Sequence, residues 1–396
     1  MDAGRRTSVD PAPHPAVPPE DEIRRSVEEV LSRYLDRRCA GASLMEEDFA
    51  RELASAVRRF VLGGGKRLRS SFLWWGWRAF VPPRSADPDS AAVLQIAGAL
   101  EILQACALIH DDVMDGARLR RGRTALHADF AQRHARAGMT GPPAAYGTSL
   151  AILAGDLALA WADDMFAEAP LAPGTRDRIR SPWRAMRTEM VAGQFLDLHA
   201  QATGSASPRT ALRIAYLKSA LYTVERPLAL GAELAGAGPE NIRALRAAGR
   251  CTGLAFQLRD DLLGVFGDSG HTGKPVGDDV REGKITYLVA LALSLADGRR
   301  DNAAGEVLRA ALGRPQLTAA QLTRFTEVLI DLGARAAVEQ RIRRLAGRAL
   351  RHLACAGVDA GTVAPLTALV LRAAGTPDGP EPPPPAPDPA DRAGVR

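Results

Sequence analysis

Apolar residues recur at every third or fourth position along most of this 396-residue chain, which is the period of helices buried along one face. Leucine and alanine dominate, and β-branched residues rarely alternate with polar ones. No segment carries the two-residue period of a strand long enough to build a sheet. The pattern predicts helices near 21–37, 46–62, 67–80, 90–114, 146–168, 176–201, 208–235 and 239–267, with shorter ones from about 284 to 372. Punctuation falls between them at Gly63-Gly64-Gly65, Pro82-Pro83, Gly141-Pro142-Pro143, Pro170 to Gly174 and Ser205 to Pro208. The expected fold is all-α: one large helical domain over 21–373, a bundle around a deep central cleft into which catalytic groups project. The ends differ. Residues 1–20, with Pro11-Ala12-Pro13-His14-Pro15, and 374–396, with Pro382-Pro383-Pro384-Pro385, hold too little apolar surface to offset ordering entropy, so both are expected to be disordered tails.

Composition narrows the function. Basic residues number 51 against 46 acidic, a net charge of +5, and no basic stripe is interleaved with aromatics, which argues against nucleic-acid binding. Cys39, Cys106, Cys251 and Cys355 are far apart and form no CxxC pair, so they are expected to be reduced thiols. The first twenty residues contain no apolar signal-peptide segment. No uncharged apolar run reaches the roughly 18 residues that span a bilayer. A soluble, cytoplasmic protein without stable membrane insertion is expected.

Two adjacent-aspartate pairs carry the chemistry. Each ends an apolar helical run: Ile109-His110-Asp111-Asp112-Val113-Met114-Asp115, and Phe256-Gln257-Leu258-Arg259-Asp260-Asp261. Carboxylates facing a core are costly to desolvate unless something cationic meets them. Asp111 and Asp115 stand one helical turn apart and share a face, with Asp112 about 100° round. Oxygen-only ligands in this arrangement suit Mg²⁺. Arg118, Arg120, Arg121 and Arg123 follow the first pair. A glycine-punctuated loop with Lys274 and Lys284 around Asp278-Asp279 follows the second. The two clusters suggest opposite walls of one cavity that holds divalent metal and a phosphorylated substrate. A third pair, Asp163-Asp164, has no glycine-basic segment nearby and reads as a surface feature. Gly63-Gly64-Gly65-Lys66-Arg67-Leu68-Arg69 opens a helix, where backbone N–H groups favour anions, and the spacing places Lys66 and Arg69 on one helical face. It is not a Walker loop.

Taken in order, GGGKRLR, DDVMD followed by Arg120-Arg121-Gly122, Lys218-Ser219, FQLRDD and GKPVGDDVREGK resemble the motifs of trans-isoprenyl diphosphate synthases (polyprenyl synthetases), most like geranylgeranyl diphosphate synthases. The resemblance runs from about residue 22 to 373. It implies the isoprenoid-synthase helical fold and a prenyl transfer, in which an allylic diphosphate ionises and its carbocation alkylates isopentenyl diphosphate. By this resemblance Asp111, Asp112 and Asp115 match the first metal-binding motif, and Asp260 and Asp261 the second, together holding Mg²⁺. Arg120, Lys218 and Lys274 match contacts to the allylic diphosphate, joined by Lys284 on closure. Lys66, Arg69, Gln104 and Arg121 match the isopentenyl diphosphate pocket, and Ser219 and Gln257 match groups that steady the carbocation. The released diphosphate can take the proton.

One position departs from the pattern: the second motif normally has a third aspartate where this chain has Gly264. The resemblance also places Leu103, Cys106 and Ala107 at the floor of the cleft, just before the first motif. Small residues there leave room for more than fifteen carbons, so geranylgeranyl diphosphate is the expected product. The alternatives are a longer-chain synthase and a non-catalytic partner subunit. A terpene cyclase would need no second diphosphate pocket. Members of the family are usually homodimers, and a homodimer is expected here.

Overall fold

Helix starts follow local chemistry. Ser207 and Thr318 accept hydrogen bonds from the backbone of Thr210 and Gln321, at 3.4 and 3.3 Å, and Gln321 reaches back to Thr318 in a reciprocal capping box. The structure, a computed structural model, describes residues 20–81, 89–267 and 276–376. Residues 1–19 and 377–396, where tails are expected, and Lys274 lie outside them. The described residues are almost entirely helical, which bears out the all-α expectation, and they cluster into two compact units.

The first unit draws on residues up to Trp183, Pro227–Ile242 and Gly357–Leu366. Its helices begin with α1 (Glu20–Met45), which buries Ile23, Val27, Leu31, Tyr34 and Leu35 as one stripe. Then come α2 (Glu47–Phe49), a π-helical turn (Ala50–Ala54) and α3 (Ser55–Leu62), followed by α4 (Leu68–Arg78) and α5 (Ser90–Asp115). A two-residue hairpin, β1 (Leu119–Arg120) and β2 (Arg123–Thr124), leads to α6 (Leu126–Arg136) and α7 (Pro143–Ala167). The element α6 lies in a stretch for which the sequence predicts no helix. Its buried stripe, Leu126, Phe130 and His134, is only three residues long and has polar neighbours.

By length and apolarity α5 could cross a membrane, but 72% of its most apolar stretch is buried inside the protein. It is a core helix, packed on α1, α4 and α7. Gly155 sets how closely α7 approaches it: a Cβ there would lie 2.1 Å from His110 Nε2.

The second unit holds Arg184–Arg226, Arg243–Ala356 and the residues from Thr367 onward. Along the chain, α8 (Pro173–Thr203) has its first residues in the first unit and the rest in the second, which also holds α9 (Pro208–Ile214) and a π-helix, Ala215–Glu225. Then α10 (Arg226–Leu234) follows and, from Pro227, belongs to the first unit. The sequence predicts one helix over 208–235, and the path is indeed unbroken, but its hydrogen-bond register changes twice. Next comes α11 (Pro239–Phe266), then the short α12 (Asp278–Arg281), α13 (Tyr287–Arg299), α14 (Asn302–Ala311), α15 (Ala319–Asp331), α16 (Ala334–Ala354) and α17 (Ala360–Ala374). The core of this unit joins Ala255, Leu258 and Leu262 of α11 to Leu288 and Leu293 of α13, Phe325 and Leu329 of α15, and Val338 and Ile342 of α16.

Candidate active site

The first aspartate cluster closes α5. Gly116, at φ 64°, ends the helix in the left-handed region, and Ala117 N–H donates to Asp112 O at 3.0 Å. The chain then turns back through the hairpin. Its two-residue turn, Arg121-Gly122, has φ of 53° and 71°, as a turn matched to strand twist requires. That reversal returns Arg120 to the aspartates. Its Nε donates to Asp112 Oδ1 at 2.7 Å, and its Nη2 donates to Asp112 and, at 3.3 Å, to Asp111 Oδ2. Asp112 is fully buried, while Asp111 and Asp115 are half-buried. Burial works to lower the Arg120 pKa, but the Asp112 hydrogen bond and the charges of Asp112, Asp111 and Asp115 prevail and raise it.

The same turn sends Arg121 the other way. Its guanidinium donates to the Gly64 carbonyl, beside Gly65. Desolvation, followed by the positive charges of Arg67, Arg120 and Arg69, lowers its pKa, with Glu101 opposing. The Gly63–Arg69 segment and the Arg121 turn thus meet in one cation cluster. One expectation needs correction. Lys66 is not on a helical face with Arg69, because α4 begins only at Leu68 and Arg67 takes the left-handed conformation, φ 48°. Lys66 is exposed in the loop, and Arg69 lies half-buried in the first turn of α4. Gln104 is half-buried on α5, two turns before Asp111. Leu103 and Cys106 are buried, and Ala107 is half-buried.

The reason for the Arg67 geometry is a network that the motif reading missed. Arg67 is buried and donates to Glu101 Oε2 at 3.1 Å and to Val61 O at 2.8 Å. Ser70 Oγ donates to Glu101 Oε1 at 2.8 Å. A signal was present: Glu101 is the one charged residue between Ser90 and Ile109, and a buried carboxylate needs a partner. Glu101→Leu is expected to cost about 3 kcal/mol, because it removes the buried hydrogen-bonded partner of Arg67 and leaves that charge facing Glu28 at 3.7 Å. The double variant Glu101→Leu/Arg67→Met should regain most of that loss in urea unfolding.

In the second unit, Lys218 and Ser219 lie half-buried in the π-helix, an element that often marks functional sites. Lys218 Nζ donates to Asp197 Oδ2 of α8 at 2.8 Å. The sequence reading expected Asp260-Asp261 to be a buried pair, but the pair is split: Asp261 is buried and Asp260 exposed. Adjacent positions on a helix point about 100° apart, so one face cannot bury both. Gln257 Nε2 donates to Asp261 Oδ1 at 2.8 Å. Burial, followed by the charges of Asp279 and Asp260, pushes the Asp261 carboxyl up to about 8, against the hydrogen bonds from Gln257 and the Tyr287 backbone. Lys284 is engaged by Glu282 Oε2 at 2.9 Å and lies 3.9 Å from Asp279 Oδ1.

Among the described residues no three His, Cys, Asp or Glu side chains form a ready-made metal cage. The Asp163-Asp164 pair has structural partners and is more than a surface feature. Both residues are half-buried, Asp163 accepting from Trp183 Nε1 at 2.8 Å and Asp164 from Arg38. The four cysteines are free thiols.

Comparison with known proteins places this arrangement. The polyprenyl synthetase family model matches residues 50–327. The geranylgeranyl pyrophosphate synthase of Corynebacterium glutamicum, crystallised with isoprenyl diphosphate and magnesium, is 39% identical with a TM-score of 0.86, over 90% of this chain and 99% of that one. A short chain isoprenyl diphosphate synthase of Methanothermobacter thermautotrophicus is 33% identical over 62% of this chain and 68% of its own length. The geranylfarnesyl diphosphate synthase of Aeropyrum pernix is 31% identical over 75% and 85%. Helices carrying these aspartate and cation clusters in this order define a helical prenyltransferase. The chain belongs to the polyprenyl synthetase family.

Proposed function

We propose that this protein condenses isopentenyl diphosphate with an allylic diphosphate and releases geranylgeranyl diphosphate. The observation that carries the reading is the hairpin at 119–124, which turns Arg120 onto Asp111 and Asp112 and Arg121 onto the Gly63–Arg69 loop. Neighbouring arginines thereby serve two adjacent charge clusters, as a reaction between two diphosphates requires. By the family resemblance, Asp111, Asp112, Asp115, Asp260 and Asp261 would hold Mg²⁺. The donor set fits: all are oxygen ligands, and the Asp261 carboxyl, pushed up to about 8 by burial and neighbouring carboxylates, is the kind of site a divalent cation relieves.

Bound Mg²⁺ supplies neutralisation of charge on the departing diphosphate. The remaining work belongs to side chains. Arg120, Lys218, Lys274 and Lys284 bind the allylic diphosphate. Lys66, Arg69, Gln104 and Arg121 bind isopentenyl diphosphate. The oxygens of Ser219 and Gln257 face the developing cation.

Product length rests on Leu103, Cys106 and Ala107. Relatives are named for farnesyl, geranylgeranyl and geranylfarnesyl products. Ala107→Phe is expected to shift the dominant product from twenty to fifteen carbons, read by chromatography of dephosphorylated products. Exposed Ile152 and Leu153 on α7, and Val191 and Phe195 on α8, support a homodimer, for which sedimentation velocity should give twice the chain mass. The deciding test is a product assay with Mg²⁺, isopentenyl diphosphate and each of three allylic primers. A dominant twenty-carbon product supports the proposal, longer products move the floor deeper than Leu103, and no turnover by folded protein rejects it.

A further inference from the structure

The first turn of α13 leaves a donor for the buried aspartate. Thr286 is its N-cap, and the Thr286 hydroxyl accepts from Val289 N–H at 3.5 Å. That bond serves the third N–H of the helix and leaves the first, on Tyr287, unmet within the helix. Tyr287 N–H donates to the Asp261 carboxylate. Asp261 and Tyr287 are 6% and 7% exposed, so little water competes for either group. A helix start also carries partial positive charge, which suits a carboxylate. Arg341 of α16 engages the side chain of the same tyrosine. Its Nη1 donates to Tyr287 Oη at 3.1 Å, and its guanidinium carbon lies 5.1 Å from the ring centroid. Arg341 is half-buried, yet no carboxylate among the described residues pairs with it, and its buried Nε finds no hydrogen-bond partner there. An arginine so placed gives up hydration chiefly to engage that tyrosine.

We infer that Arg341 and Tyr287 are positioning residues for the second aspartate cluster: Arg341 fixes the tyrosine, and the tyrosine fixes the N–H that orients Asp261. This rests on the metal-binding reading proposed above. Neither side chain touches the cation in this scheme. Gln257 Nε2, at 2.8 Å, and Tyr287 N–H restrain the carboxylate at two points, so its orientation is set before a cation arrives. Releasing the Arg341 grip lets Tyr287 and the first turn of α13 shift, and one of the two restraints slackens.

The test uses the full chain with Mn²⁺ as the probe in the presence of inorganic diphosphate. Free Mn²⁺ is followed by electron paramagnetic resonance, and thermal unfolding is recorded on the same samples. Arg341→Met should weaken Mn²⁺ binding about tenfold, whereas Arg341→Lys, which keeps a cation and a donor, should stay within about threefold of the native chain. Tyr287→Phe removes the phenol and should weaken binding in the same direction, and the two changes combined should cost less than their sum. Tyr287→Pro and Tyr287→Ala both lose the ring, but only proline loses the N–H. Proline suits the first position of a helix, and Thr286, at φ −62° and ψ 167°, already has the extended form that precedes it. Tyr287→Pro should therefore bind Mn²⁺ about tenfold more weakly than Tyr287→Ala. An Arg341→Met chain that melts lower but binds Mn²⁺ like the native one would overturn the proposal and leave Arg341 a packing residue. Equal binding by Tyr287→Pro and Tyr287→Ala would overturn it as well. Should Arg341→Met fail to fold, native binding by Tyr287→Phe, which removes a single oxygen, overturns it instead. If Asp261→Asn itself leaves Mn²⁺ binding intact, the metal reading is what fails.

Discussion

Asp112→Ala is expected to lower kcat/KM by at least about a thousandfold and to destabilise the metal-free protein by about 3 kcal/mol. The two losses have separate causes. Asp112 is fully buried and accepts two hydrogen bonds from Arg120, whose side chain is only 12% exposed. Removing the carboxylate leaves the guanidinium in a desolvated place with Asp111 at 3.3 Å and the more distant charge of Asp115. Arg120→Met added to Asp112→Ala should recover most of the stability and none of the turnover. Steady-state kinetics and urea unfolding on the same preparations separate the two effects. Equal stability of Asp112→Ala and the native chain would show that the clamp carries no folding energy.

Asp261→Asn should have the opposite effect on stability and a similar effect on activity. The Asp261 carboxyl titrates near 8, well above an ordinary carboxylate, because burial and the charges of Asp279 and Asp260 disfavour its ionised form. A group whose folded pKa is raised gives stability that is complete below the unfolded value, near 4. That stability is lost as pH rises towards and through 8. Metal-free protein should therefore lose on the order of 2–4 kcal/mol between pH 5 and pH 8 from this group. The amide introduced by Asp261→Asn cannot ionise, so the variant should lose much of that slope and melt several degrees above the native chain at pH 8. Thermal unfolding in a chelating buffer across this range is the measurement. A native chain whose melting temperature is flat from pH 5 to 8 would contradict the raised pKa. Turnover should fall by about a thousandfold, since the ionised form is the one a cation needs.

These paired expectations show which parts of the molecule were readable in one dimension. The long amphipathic runs were. The predicted 90–114 and 239–267 correspond to Ser90–Asp115 and Pro239–Phe266, because periodic burial and flanking glycine or proline leave little choice. The element α6 was not, since a three-residue stripe among charged neighbours carries too weak a period. The register change at Ala215–Glu225 has no compositional sign, as the same residues would build an α-helix. At the site, residue types and order were legible from the motifs, while their local engagements were not. That Arg120 turns back onto the aspartates depends on positive φ at Arg121 and Gly122. That Lys66 leaves the helix depends on Arg67 reaching Glu101. Asp279 lay within a recognised motif, but its proximity to Gly264 is a fact of three dimensions.

The π-helix has a consequence for tolerance to length change. In an α-helix Lys218 and Glu225, seven residues apart, would point the same way. The wider ladder carries the later residue round towards the far side, so Lys218 meets Asp197 while Glu225 meets Arg246 and Arg250. The segment works as a phase shifter between two ionic docking points on one continuous rod. Deleting a single residue within 215–225 would let the rod relax into uniform pitch and bring only one of those points into alignment. Away from Lys218, Ser219 and Glu225, substitutions there should be absorbed far more readily than any change in residue count.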